Sequence, residues 1–160
     1  MYCNLLQASH FGATSMGAWN ADDRLVGSVT GYLLPSQPTS LFIWQVAVHP
    51  EARGQGLALR LLQALLAQPH TANITQVQTS ITDANTASWR TFEALARSKS
   101  AATHKTVLFE HQQHFAGAAP TEYLFTIGPI EPKTQRTKES YARGRAQAHA
   151  PHRAPEPTPG

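Results

Sequence analysis

Residues 44–62 read WQVAVHPEARGQGLALRLL. A run rich in β-branched and apolar residues stops at His49-Pro50. A polar loop follows with glycines at 54 and 56, and from Leu57 the leucines recur at helical spacing. The first N–H groups of a helix have no intrahelical partner and carry partial positive charge. Glycine lets that backbone approach an anion without an intervening Cβ. The stretch is therefore either a tight strand-to-helix connection or a cradle for a phosphate.

Spacing narrows the choice of phosphate ligand. A Walker loop requires Gly-Lys-Ser/Thr after four intervening residues, and this loop has no such lysine. A dinucleotide fingerprint requires a third small residue, but Leu59 stands where it belongs after Gly54 and Gly56.

Working outward from the loop, Leu41–Val48 is nearly all apolar or β-branched, as expected of a central strand covered on both faces. Upstream, Ser15–Trp19 and Leu25–Leu34 flank the turn formers NADDR and predict a hairpin, and PSQPTS predicts a break before Leu41. Downstream, Ala58, Leu61, Leu62, Leu65 and Leu66 share one helical face over residues 55–68, and Pro69 marks the stop. Residues 75–81 alternate as a strand. Asp83 or Asn85 is placed to cap a helix through Ala96, with Trp89, Phe92, Leu95 and Ala96 on one stripe. Glu122–Ile127 predicts a last strand. The pattern specifies an α/β domain of α+β type, a mixed central sheet flanked by helices.

Charge separates the chain into two parts. Residues 131–160 hold six Lys or Arg against three Glu, a net of +3 equal to that of all 160 residues. Residues 1–130 balance at seven basic and seven acidic side chains, which argues against a nucleic-acid-binding face. The tail also carries five of the eleven prolines and is expected to be disordered, leaving 1–130 as the folded domain. No stretch approaches the ~20 apolar residues of a membrane span. A single cysteine, Cys3, and the lack of a signal-like start point to the cytoplasm. His104, His111 and His114 lack a cysteine or acid partner at a zinc spacing, so no metal is expected.

Arg53-Gly54-Gln55-Gly56-Leu57-Ala58, preceded by VAVHP, resembles the Arg/Gln-x-x-Gly-x-Gly/Ala signature of the GNAT superfamily of N-acetyltransferases. Longer strings resemble its diaminobutyrate acetyltransferase branch, which serves ectoine synthesis. They are MYCNLLQ (1–7), LFIWQVAV (41–48), ARGQGL (52–57), QTSITDANTASWRTF (78–92) and HQQHFAGAAPTEYLFTI (111–127). The resemblance implies acetyl transfer from acetyl-CoA to the 4-amino group of L-2,4-diaminobutyrate, by a homodimer. It further implies that Val46, Val48, Arg53, Gly54, Gln55, Gly56, Leu57, Ala58 and Asn85 contact acetyl-CoA. Tyr2, Cys3, Trp44 and Glu122 are implied for the substrate. Glu122 is the candidate base as well as a candidate clamp, Val48 N–H the candidate oxyanion donor, and Tyr2 a candidate acid. Many members of the superfamily place a tyrosine acid where this chain has Phe92, which has no proton to give. In the branch a strand and a helix precede the MYCNLLQ string, so the resemblance implies a chain that starts inside the domain. Two other functions fit such a chain: a non-catalytic acyl-CoA-binding remnant, and an acetyltransferase for another small amine.

Overall fold

The computed structural model describes residues 2–132; the expectation of a disordered tail falls almost wholly outside them. Helix α1 (Tyr2–His10) leads into strands β1 (Ser15–Trp19), β2 (Leu25–Leu34) and β3 (Gln37–Val48). Then come α2 (Leu57–Leu65), β4 (Gln76–Thr82), α3 (Thr86–Ser98), β5 (Thr103–Phe109), α4 (His111–Phe115) and β6 (Glu122–Ile127). The strands form one six-stranded sheet in the order β1-β2-β3-β4-β6-β5. Only β3 and β4 run parallel, linked through α2.

The predicted hairpin forms because Asn20 closes its turn: the side-chain oxygen accepts from the Asp22 and Arg24 amides at 3.0 and 2.9 Å. The predicted break at PSQPTS is shorter than expected. β3 already starts at Gln37, leaving Pro35-Ser36 as the turn. β5, α1 and α4 carried no clear periodic signal, and every β5 residue but Leu108 is exposed.

Helices α2 and α3 cover one face of the sheet. Leu61, Leu62 and Leu65 of α2 and Phe92, Leu95 and Ala96 of α3 are buried against Val29, Leu41, Ile43, Val77, Phe125 and Ile127. On this face a Cβ at Gly27 would lie only 3.0 Å from Leu57 and 3.1 Å from Leu61, so glycine lets α2 approach β2. Strand alternation turns Tyr32 to the opposite face. There its ring stands 5.7 Å from Phe11, just after α1, and 5.4 Å from Phe42.

β3 is a central strand, yet it is not covered on both faces along its length. Leu41 and Ile43 are buried, whereas Trp44 is 49% exposed and Gln45 and Ala47 are exposed as well. A β-bulge resets the alternation here, so that Gln45 and Ala47 join Trp44 on the uncovered face. Thr30 pairs with Gln45 and the next residue, Gly31, with Ile43, so Trp44 is the extra residue. Pairing of β3 with β4 runs from Ser40 to Ile43 and stops there. Gly31 sits at the bulge because a Cβ would come within 2.6 Å of the Phe42 carbonyl oxygen. The buried Thr14 hydroxyl donates to the Gly31 carbonyl at 2.6 Å and pins the same point.

Gly31→Ala is expected to destabilise the fold by about 1–3 kcal/mol, since the clash is with backbone. Urea unfolding measures it, and an unchanged midpoint would mean that the bulge has slack.

Candidate active site

Beyond Ile43 the sheet forks. β4 continues with β6 up to Thr82, while β3 stays with β2 up to Val48. The His49 amide donates to the Val26 carbonyl at 2.8 Å. Donors alternate sides along an antiparallel ladder, so Val48 and Val46 turn their N–H and C=O groups away from β2 and into the fork. The base of the fork is closed by the Thr79 hydroxyl, which donates to the Ile43 carbonyl at 3.1 Å.

The glycine loop closes the open end of β3. Gly54 and Gly56 have φ of +73° and +69°, which strain any residue with a Cβ. Gly56 caps α2, and the first intrahelical bond runs from the Arg60 amide to the Gly56 carbonyl at 3.1 Å. The amides of Leu57, Ala58 and Leu59 therefore have no intrahelical acceptor. Arg53 ties the loop to the strand, its Nε donating to the Val48 carbonyl at 3.2 Å.

The third wall is the N-terminal half of α3. Asn85 caps this helix by accepting from the Ser88 amide at 3.1 Å, as one of the two caps predicted. Fork, loop and α3 enclose a cavity of about 760 Å³. Val46, Val48, Arg53, Gly54, Gly56, Leu57, Ala58 and Asn85 all line it. No acidic residue does, and two helix N-termini face it, so its field is positive. An extended, partly apolar ligand with an anionic end matches such a space.

The sequence model of the Acetyltransferase (GNAT) family matches residues 3–96. The L-2,4-diaminobutyric acid acetyltransferase of Methylotuvimicrobium alcaliphilum is 48% identical over 131 residues, covering 82% of this chain and 76% of the relative. The chain belongs to this acetyltransferase family. The enzyme of the same description from Vibrio cholerae is 47% identical over 126 residues, 79% of this chain and 72% of that one. Among solved structures, the diaminobutyrate acetyltransferase of Paenibacillus lautus, in complex with L-2,4-diaminobutyric acid and coenzyme A, superposes with a TM-score of 0.75. It is 33% identical, and the match covers 80% of this chain and 77% of that one.

Other residues singled out in the sequence of this acetyltransferase lie elsewhere. Gln55 lines a second cavity, of about 570 Å³, on the β1 side of α2, with its side-chain amide donating to the Glu51 carbonyl at 3.3 Å. Trp44 projects from the bulge. Glu122 opens β6 opposite Thr82, half-buried, on the face opposite Tyr123. Cys3 is exposed on α1, and Tyr2 begins that helix. Phe92 is 3% exposed and lines the main cavity, so position 92 offers that space a ring and no proton.

Ala87, Arg90, Thr91 and Ala94 also line the cavity from α3, beyond the residues expected from sequence. Their spacing of three to four residues, beside the apolar stripe, is the signal that marks them. A clamp on the β4–α3 loop is a second feature without a signal in the local pattern. Lys105 of β5 donates to the Asp83 carboxylate at 2.7 Å and lies 4.7 Å over the Trp89 ring and 3.7 Å over that of Tyr123. The Trp89 indole N–H donates to the Thr82 carbonyl at 3.1 Å. Lys105 holds the Asp83 carboxyl below the usual carboxylate range, with a smaller contribution from the Tyr123 hydroxyl, whose own proton Asp83 retains to higher pH. The clamp fixes the loop from which Asn85 and the start of α3 face the cavity.

A depressed folded-state value means that Asp83 stabilises the fold above the ordinary carboxylate range and ceases to do so as pH falls through its folded value. The difference in urea midpoint between wild type and Asp83→Asn is therefore expected to be constant from about pH 5 to 7 and to shrink below about pH 4. A difference that stays constant to pH 3 contradicts the assignment.

Proposed function

We infer that the chain transfers the acetyl group of acetyl-CoA to the 4-amino group of L-2,4-diaminobutyrate, giving N4-acetyl-L-2,4-diaminobutyrate in ectoine synthesis. The observation that carries this is the fork between β3 and β4, opening beside a glycine loop whose amides point to no intrahelical acceptor. The Paenibacillus lautus relative, solved with this substrate and coenzyme A, supports the same pairing of ligands.

The pyrophosphate of acetyl-CoA sits on the amides from Gly54 to Leu59, where the partial charge of the α2 terminus favours an anion. The pantetheine arm runs along β3 and bonds to the N–H and C=O of Val46, groups that β4 leaves unpaired. This brings the thioester beside Val48. Attack by the 4-amino group requires that amine to be neutral, so its proton must pass to a carboxylate or to water. Glu122 is the carboxylate proposed to accept it, or to hold the substrate's second ammonium. As the thioester carbonyl becomes tetrahedral, the Val48 N–H donates to its developing negative charge. Collapse then expels the thiolate. Phe92 cannot protonate it, which leaves that step to Tyr2 or water. Trp44, with Tyr2 and Cys3, is proposed to contact the substrate, the indole face suiting an ammonium group.

The setting is proposed to be the cytoplasm, in osmoprotection, with the enzyme acting as a homodimer without a metal. Among the described residues no helix is long and apolar enough to cross a membrane, and no group of His, Cys, Asp or Glu could hold a metal ion. The even charge balance of residues 1–130 supports a small-molecule substrate rather than nucleic acid.

Gly56→Trp is expected to abolish acetyl-CoA binding, because the loop loses both its left-handed residue and its open approach; unchanged affinity by calorimetry refutes the cradle. Glu122→Gln is expected to lower kcat/KM for diaminobutyrate by about 100-fold. A fall in kcat identifies the base, and a rise in KM with kcat preserved identifies the clamp. Wild-type kcat/KM excludes both roles. A panel of diamino acids tests the substrate itself: preferred acetylation of another amine, or none, overturns the assignment.

A further inference from the structure

We propose that Arg90 forms a subsite for the ribose 3′-phosphate of coenzyme A, so that the enzyme distinguishes acetyl-CoA from its dephosphorylated form. The inference rests on the acetyl-CoA reading of the cavity and adds to it a second point of anion recognition, on α3.

Coenzyme A carries two separated anionic groups, a pyrophosphate and a monoester phosphate on the ribose. The amides of the glycine loop suit the first. Two cationic side chains line the cavity, Arg53 and Arg90. The Nε of Arg53 is engaged with the Val48 carbonyl at 3.2 Å, where the guanidinium braces the loop against the strand. The Arg90 side chain is exposed and makes no ion pair or hydrogen bond with any described residue. Glu93, three residues further along α3, does not pair with it, although that spacing permits a helical ion pair.

Arg90 and the glycine loop belong to different walls of the cavity. Arg90 stands on α3, five residues beyond its Asn85 cap, whereas the loop amides open α2. Ala87 and Ala94, about one turn before and one after on the same stripe, leave space around its guanidinium. No acidic side chain lines the cavity to compete for it. A phosphate monoester is close to doubly charged at neutral pH and presents oxygens at the spacing of a guanidinium fork. Arg90 is thus a free, planar cation on the wall of an anion-binding cavity, with the geometry to hold a terminal phosphate.

The test is calorimetric titration of the full chain with CoA and with 3′-dephospho-CoA, using wild type, Arg90→Ala and Arg90→Lys, with thermal melts to show that each variant folds. Wild type is expected to favour CoA by about fivefold, a preference that shrinks at high salt. Arg90→Ala is expected to lose that preference while keeping its affinity for 3′-dephospho-CoA. Arg90→Lys keeps a smaller part of it, since an ammonium cannot pair bidentately. The inference falls if wild type binds both ligands equally, or if Arg90→Ala keeps the wild-type preference. It also falls if Arg90→Ala weakens both ligands alike, which would put Arg90 on the pyrophosphate. Failure of wild type to bind either ligand overturns the acetyl-CoA reading itself, and this one with it.

Discussion

A single extra residue in β3 governs the site. Trp44 has no partner on β2, and from that point β3 and β4 part company. A parallel pair that continued to Val48 would use the very N–H and C=O groups that the fork leaves free. The bulge in turn depends on Gly31, since a Cβ there would meet the Phe42 carbonyl, and on Thr14, whose hydroxyl fixes the Gly31 carbonyl. Unpaired backbone groups cost free energy unless a partner arrives. An open fork is therefore a structural commitment to a ligand that brings its own amides.

Electrostatics then sorts the cavity by function. Its lining contains arginines, small residues and helix N-termini, and no carboxylate. That composition favours an anionic cofactor and disfavours a cationic substrate. The groups suited to a substrate with two ammonium ions, Glu122 and Trp44, lie outside it. The cavity and these two side chains thus occupy different parts of the molecule. The Asp83–Lys105 pair, with Lys105 over the Trp89 and Tyr123 rings, ties the β4–α3 loop beside the third wall to β5.

Most of the elements were legible because their burial is one-sided and periodic. The leucines of α2, the stripe of α3, the alternation of β4 and the run of β6 each announce a face turned to the core. β5 was not legible: it is an edge strand, exposed along almost its whole length, and no burial constrains its residue types. Helix α4 is held by a cap instead of a core face, with the Glu110 carboxylate accepting from the Gln112 and Gln113 amides at 2.7 Å. The run Leu41–Val48 misled for the opposite reason. It is strongly apolar, yet past Ile43 one face of the strand, bearing Trp44, Gln45 and Ala47, is exposed.

By itself the sequence determined the phosphate-type loop. The loop is local chemistry: two glycines with positive φ, a helix start and a preceding strand all lie within a few residues of one another. Its strings also determined the family. The tertiary structure decided everything that depends on residues distant along the chain. It decided that β3 and β4 diverge, that Gln55 faces a different cavity from its neighbours, and that Arg53 braces while Arg90 stays free. Pairing registers and side-chain partners arise from long-range contacts, and no local pattern of residues encodes them.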